Sequence, residues 1–292
     1  MGVIVNGNLK LAIQKKGRLS DKSLELLKKC GFEIDNYSSR LLITARNYKL
    51  DILLLRDDDI PEYVQDGVAD IGIVGEDVIV ESNANVDDIK QLGFGKCKLM
   101  IGIPEAEELL SFEQLNNKTI ATSFPNILKQ FLDKEKIKAK VIELSGSVEI
   151  APALGVANYI CDLVSTGTTL KLNKLKKSFT IFESQAALIA RKDISSDVEK
   201  SKLLQDLMRR IDSVLSAKKS NYLMMNVPTS GLERVTEIIP SLKSPTVLPL
   251  AEKDMVAVHA VIPNETFWNI VDDLKEAGAS GILLLPIENM IV

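Results

Sequence analysis

Apolar residues along this chain come in short runs separated by turn residues, and one stretch sustains a longer helical repeat. Lys10 to Ile13, Leu41 to Thr44, Leu50 to Leu55 and Ile71 to Gly75 have the length and composition of strands. Ala139 to Leu144, Tyr159 to Val164 and the end of Leu115 to Thr122, behind a polar turn, read the same way. Cys97 to Ile103 is a strand that stops at Pro104 and is expected to cross between two lobes. Phe179 to Arg191 reads as two strands or an extended return to the first lobe. Helices fill the gaps. Ser20 is expected to cap one that carries Leu24, Leu26 and Leu27 and closes at Gly31. Ser123 to Asn126 opens another toward Lys136, and Val148 to Leu154 forms a further one. The longer repeat, 197–218, sets Leu203, Leu204, Leu207, Ile211, Val214 and Leu215 on one stripe, which is packing surface.

From Asn221 onward the order changes to strand, helix, strand, strand, helix, strand: Tyr222–Val227, Leu232–Ile239, Thr246–Leu250, Met255–Ile262, Thr266–Ala277 and Gly281–Ile287. This βαββαβ order is the ferredoxin-like pattern. Upstream, Gly67-Val-Ala-Asp70 leads into an apolar strand, and Gly155-Val-Ala-Asn158 leads into another. In each a helix ends at glycine and a ligand-type turn follows the strand. That similarity implies two similarly built lobes presenting matching turns to a shared cleft.

Composition narrows the chemistry. The 292 residues are enough for two or three domains, and 46% hydrophobic content supports real cores. A net charge of −4 argues against nucleic acid, so anionic ligands must be held by local groups. Cys30, Cys97 and Cys161 are scattered without a C-x-x-C pair, which suits reduced thiols in a cytoplasmic protein and offers no zinc site. His259 is the only histidine, so Ser-His-Asp and Cys-His catalysis are nearly excluded, and it reads as a structural residue on an alternating strand. The first nine residues lack the marks of a signal peptide, and no apolar run spans a bilayer.

The most informative stretch is Asp162 to Leu170, D-L-V-S-T-G-T-T-L. After the strand, Ser165, Thr166, Gly167, Thr168 and Thr169 supply four hydroxyls, backbone N–H groups and one glycine that permits close approach, with no acid to repel an anion. Asp162 is left to hold sugar hydroxyls or a metal. A second anion site is offered by Gln14-Lys15-Lys16-Gly17-Arg18, a basic turn at a helix start that is otherwise a solvated charged turn. Ser145-Gly146-Ser147 again offers N–H groups. Arg56 ends a strand, where ligands collect in open α/β sheets, and Asp57-Asp58-Asp59 follows it. Three acids suggest magnesium, although Asp59 before Ile60-Pro61 also reads as an N-cap. Glu149 suits either the helix dipole or a site role.

The run from Glu149 to Leu170 closely resembles the signature of the ATP phosphoribosyltransferase family. Gln14-Lys-Lys-Gly-Arg-Leu-Ser20, Arg56-Asp-Asp-Asp-Ile-Pro61, Ile120-Ala-Thr-Ser123 and Ser244-Pro-Thr246 extend that resemblance through almost the whole chain. It departs from commoner sugar-phosphate transferases in carrying one acid, not two, before T-G-x-T. The resemblance implies an α/β protein with a two-lobed, periplasmic-binding-protein-like catalytic core and a C-terminal ferredoxin-like, ACT-like regulatory domain. Lobe I would be 1–103 with 180–220, lobe II 104–179, and the regulatory domain 221–292. It implies transfer of phosphoribosyl from phosphoribosyl pyrophosphate to N1 of ATP, with Mg²⁺, in the first step of histidine biosynthesis. Lys15, Arg18 and Asp162 would be catalytic. Gln14, Lys16, Gly17, Arg56, Asp70, Gly75, Glu76, Thr122, Ser123, Gly146, Glu149 and Ser165 to Thr169 would contact substrates, with Arg56 and Asp70 on the nucleotide side. Asn226, Ser244 and Thr246 would lie near the effector, L-histidine, and the assembly would be a hexamer built from dimers. A solute-binding protein and a phosphoribosyltransferase for another base are the competing readings; the former leaves the basic turn and the C-terminal module unexplained.

Overall fold

The structure, a computed structural model, describes residues 7–35, 40–164, 167–240 and 244–291. The chain forms two compact units, Met1–Glu25 with Glu33–Leu203, and Leu26–Phe32 with Leu204–Val292. The first unit holds two sheets. Elements β1 (Leu9–Gln14), α1 (Arg18–Lys29), β2 (Leu42–Thr44), β3 (Leu50–Leu55), α2 (Ile60–Gln65), β4 (Ile71–Gly75), α3 (Glu76–Ser82) and β5 (Val86–Gln91) come first. The chain then enters a second sheet with β6 (Cys97–Pro104), β7 (Thr119–Thr122), α4 (Pro125–Lys134), β8 (Lys140–Glu143), β9 (Tyr159–Val164), α5 (Thr168–Leu172) and β10 (Leu175–Ser184). It returns through β11 (Ala186–Arg191) to α6 (Val198–Ala217).

The first sheet has the order β2-β3-β1-β4-β11-β5, and the second β10-β6-β9-β7-β8. Each contains three adjacent parallel strands: β3, β1 and β4 in one, β8, β7 and β9 in the other. Parallel strands are covered on both faces, which is why β1 reads Leu-Lys-Leu-Ala-Ile with four of its apolar side chains buried rather than alternating. This is a two-lobed, periplasmic-binding-protein-like core. β6 does not cross between lobes, as its terminal proline suggested; it pairs with β9 and β10 inside the second sheet. The crossings fall after β5 and at Gln185, so both β6 and β10 lie wholly in the second sheet. Cys97 and Ser184, the first and last residues of that sheet's strands, are a paired couple.

Three local expectations change. The helix after the basic turn starts at Arg18, so Ser20 is a buried residue within its first turn and not its cap. Asp59 precedes α2, but its side chain makes no capping hydrogen bond. Val148 to Leu154 is no helix: only Val148–Ile150 forms a 3₁₀ turn. Pro152, four residues after Val148, has no N–H to return and its ring would crowd that carbonyl.

The last strands form the second unit's sheet: β12 (Ser220–Pro228), α7 (Leu232–Ile238), β13 (Thr246–Pro249), β14 (Met255–Pro263), α8 (Phe267–Glu276) and β15 (Ser280–Pro286). The order β13-β14-β12-β15, antiparallel throughout, is ferredoxin-like. Leu223, Met225, Val227, Val258, Ala260 and Ile262 alternate onto one face and pack with Val235, Phe267 and Leu274 of the two helices.

Candidate active site

Parallel strands carry their following turns on one edge, and that geometry assembles the site. In the first sheet the ends of β1, β3 and β4 put Gln14 to Arg18, Arg56 to Asp59 and Gly75 to Asp77 on a common edge. In the second, the ends of β7 and β8 do the same for Ser123 and Ser145 to Ser147, and β9 ends beside them at Val164.

A cavity of about 300 Å³ on the first edge is lined by Gln14, Arg18, Lys22, Asp57, Gly75, Asp77, Val78, Lys96 and Cys97, among others. The Gln14 amide donates to Asp57 at 3.1 Å and holds the basic turn against the acidic run. Gly17 has φ +107°, a conformation that favours glycine. Lys15, Lys16 and Arg18 are exposed and make no ion pair among the described residues. Their charges are thus available to an anion. Lys22 and Lys96 join them and were not anticipated; the signal for Lys22 was its spacing of four from Arg18, which places both on one helical face.

A larger cavity, about 650 Å³, takes its walls from both sheets. Asp58, Glu62, Val78 and Glu81 come from the first, and Ser123, Glu143, Gly146 and Asp162 from the second. No lysine or arginine lines it. Val78 borders this acidic cavity and the basic one, so the two abut. Burial, and less so the nearby Glu149, push the Asp162 carboxyl above its ordinary value, although the Leu163 N–H partly offsets them. Asp58 is likewise raised, first by burial and then by Asp57, Asp59 and Asp77. Ser123 donates to the Leu144 carbonyl at 2.7 Å, tying the turns after β7 and β8 together. Gly146 has φ +148° and open space around it.

Gly167 opens α5 at φ +84°, and a β-carbon there would meet Lys177 Cε at 2.4 Å. Thr168 and Thr169 are exposed in the first turn of α5. Ser165 and Thr166 lie outside the described residues. Val164, Lys177, Lys96, Lys98 and Glu76 line a third cavity of about 680 Å³. Glu76 accepts hydrogen bonds from Gln91 and the Gln185 amide, so it is engaged where the chain re-enters the first sheet.

Two expected contact residues sit elsewhere. Asp70 is 1% exposed; it accepts the Lys10 N–H at 2.9 Å, Arg191 Nε at 3.1 Å and Lys200 Nζ at 2.8 Å. It stands just before β4, at the end of the sheet opposite the turns, where it lines a separate cavity with Arg191 and Lys200. Thr122 is fully buried, its hydroxyl accepting the Phe124 N–H. Arg56 is exposed, lines none of these cavities and partly offsets the rise of the neighbouring Asp58 carboxyl.

Over residues 56–213 the sequence matches the family described as ATP phosphoribosyltransferase, and over 217–289 that described as HisG, C-terminal domain. The ATP phosphoribosyltransferase of Cytophaga hutchinsonii is 52% identical over 97% of this chain and 98% of its own. This chain belongs to the ATP phosphoribosyltransferase family. The same-named enzyme of Parabacteroides distasonis is 44% identical over 97% of this chain and all of its own. Among solved structures, the ATP phosphoribosyl transferase (HisG:HisZ) complex from Thermotoga maritima matches with a TM-score of 0.58 and 31% identity, over 70% of this chain and 98% of that one. As a phosphoribosyltransferase, a pentosyltransferase, this chain needs a place for a sugar and a place for a departing anion.

Proposed function

We propose that this ATP phosphoribosyltransferase moves the 5-phosphoribosyl group of phosphoribosyl pyrophosphate onto N1 of the adenine of ATP, releasing pyrophosphate, as the first step of L-histidine biosynthesis. One observation supports this above others: a basic cavity and an acidic cavity abut at Val78. As the bond from C1 to pyrophosphate lengthens, the sugar gains positive charge and the leaving group negative charge. Asp162 of the acidic wall favours the former, and Lys15, Lys16, Arg18 and Lys22 the latter. Asp162 also has free acceptor capacity for ribose hydroxyls. Gly167, Thr168 and Thr169, with Ser165 and Thr166, take the 5-phosphate. No covalent nucleophile is required, since alignment of the adenine nitrogen with C1 supplies the rest.

The residues fit a Mg²⁺ ion that arrives with its substrate. Among the described residues no cluster of three or more acid, histidine or cysteine groups forms a metal cage. Mg²⁺ commonly keeps waters and phosphate oxygens and uses one or two carboxylates. Asp57, beside Arg18, is the carboxylate on offer, with Asp58 next to it. When bound, the ion would neutralise charge on the departing pyrophosphate.

In the C-terminal sheet, Asn226 pairs with Ala257 and Thr246 with His259, so both face the side away from the helices, on the two strands that flank β14. Ser244 is exposed just ahead of Thr246. That arrangement supports L-histidine as an effector held there. No described helix is long and apolar enough to cross a membrane, and the three cysteines are free; a cytoplasmic hexamer built from dimers is the setting we propose.

Incubation with Mg²⁺, phosphoribosyl pyrophosphate and ATP should release pyrophosphate and yield an N1-ribosylated adenine detectable by NMR. Release with another base, and none with ATP, would replace this reading.

A further inference from the structure

Helix α3 follows β4 of the first sheet, yet one of its faces belongs to the second. Asp77, Val80 and Glu81 lie at i, i+3 and i+4 and share that face. At one end the buried Asp77 carboxylate accepts the Ser184 hydroxyl, which in turn accepts the Asp77 N–H at 3.1 Å. Ser184 is the last residue of β10. In the middle, Val80 packs on the second sheet's core with Leu99, Ile101 and Leu128. At the other end the Glu81 carboxylate accepts the N–H groups of Asn126, at 2.9 and 3.1 Å, and Ile127, at 3.0 Å. The Glu81 carbonyl accepts the Asn126 amide at 2.8 Å. Val78 and Ile79, on the remaining face, pack against the first lobe's core at Ile60 and Val64 of α2 and Val74 of β4.

A helix fixed to both sheets by opposite faces resists their separation. Each tie here satisfies donors that would otherwise be stranded: Glu81 answers first-turn amides of α4, which have no intrahelical acceptor. The charged carboxylate also complements that helix end. We propose that α3 is a clamp that sets the spacing between the two lobes, with Asp77 and Glu81 as positioning residues for the transfer. The clamp holds the basic turn of one lobe at a fixed reach from Asp162 and Gly167 of the other. The inference rests on the reading that phosphoribosyl pyrophosphate spans both lobes, its 5-phosphate on the second and its pyrophosphate on the first.

Half-ligands test it. Ribose 5-phosphate engages only the second lobe and inorganic pyrophosphate only the first, whereas phosphoribosyl pyrophosphate needs both at the right distance. With Mg²⁺ and calorimetry on the full chain, Glu81→Ala should weaken phosphoribosyl pyrophosphate at least tenfold while both half-ligands stay within about twofold. Glu81→Gln keeps an acceptor oxygen and should recover part of the loss. Ser184→Ala, at the other end of the helix, should repeat the pattern independently. Unchanged affinity for phosphoribosyl pyrophosphate in both Glu81→Ala and Ser184→Ala, or an equal loss for all three ligands, overturns the clamp. A wild-type protein that binds none of the three overturns the underlying site reading instead.

Discussion

Asp70 in the first lobe and Asn158 in the second make the same pair of hydrogen bonds. Asp70 donates its N–H to the Lys10 carbonyl and accepts the Lys10 N–H on its side chain, both at 2.9 Å. Asn158 does so with Thr119, both at 2.8 Å. Each stands just before a strand, three residues after a glycine of positive φ, Gly67 at +71° and Gly155 at +67°. The four-residue similarity is therefore a shared device that locks a strand to its parallel neighbour at the end remote from the site.

The first lobe adds charge to that device, and its removal is costly. Asp70→Ala takes from Lys200, 19% exposed, its buried carboxylate and leaves Arg191, 13% exposed, with only the outer acids Asp193 and Asp197. Breaking a buried pair in this way typically costs about 3–5 kcal/mol. Thermal unfolding should fall accordingly, while the affinity for phosphoribosyl pyrophosphate of the protein that remains folded at 15 °C should match wild type. An unshifted melting temperature would contradict the structural role.

Asp162→Asn should abolish transfer and stabilise the fold at neutral pH. Burial raises the folded carboxyl above its unfolded value, so ionising it opposes folding. That opposition is absent below the unfolded value, about 3.9, and grows as pH rises through the folded one. The melting-temperature gain of the variant over wild type should thus be present at pH 7 and vanish near pH 4. A gain that is constant with pH would assign it to packing.

Gly167→Leu meets a strained backbone at φ +84°, and it must also displace the flexible end of Lys177, which lies across the place of its β-carbon. Phosphoribosyl pyrophosphate should bind at least a hundredfold more weakly, with overall stability reduced by about 1–2 kcal/mol, the cost of left-handed backbone. Calorimetric titration that returns wild-type affinity would take the 5-phosphate away from this turn.

Effector binding is best tested by point changes. Removing 221–292 would cut into a unit that begins at Leu204 and includes Leu26–Phe32, so the remainder would lose packing partners. Asn226→Ala and Thr246→Ala should each raise the histidine concentration for half-inhibition by tenfold or more and leave the uninhibited rate alone. Identical inhibition curves would place the effector elsewhere.

Strand positions were legible because burial dictates them: the apolar runs at Leu50–Leu55 and Tyr159–Val164 agree with β3 and β9 to the residue. The βαββαβ order of the last unit was equally plain, since its alternation is strict. β5 was silent. Its Val-Asp-Asp-Ile-Lys-Gln run sits on a sheet edge with one neighbour, where charged residues guard against further pairing. Turns that carry chemistry, such as Gln14–Arg18, were legible, whereas the ion pairs that bury Asp70 were not, because Arg191 and Lys200 lie far along the chain. Glu81 escaped notice for the same reason: a carboxylate in a short helix reveals nothing until its partner helix is in place.

The pairing of Cys97 with Ser184 means that the whole second lobe enters and leaves the first through adjacent doors. Neighbouring strands stand about 4.8 Å apart, so a linker of very few residues from Lys96 to Gln185 would reseal the first lobe without it. The segment 97–184 is in that sense a cassette: a self-contained insertion whose ends meet, ready for circular permutation or transplantation into another host chain.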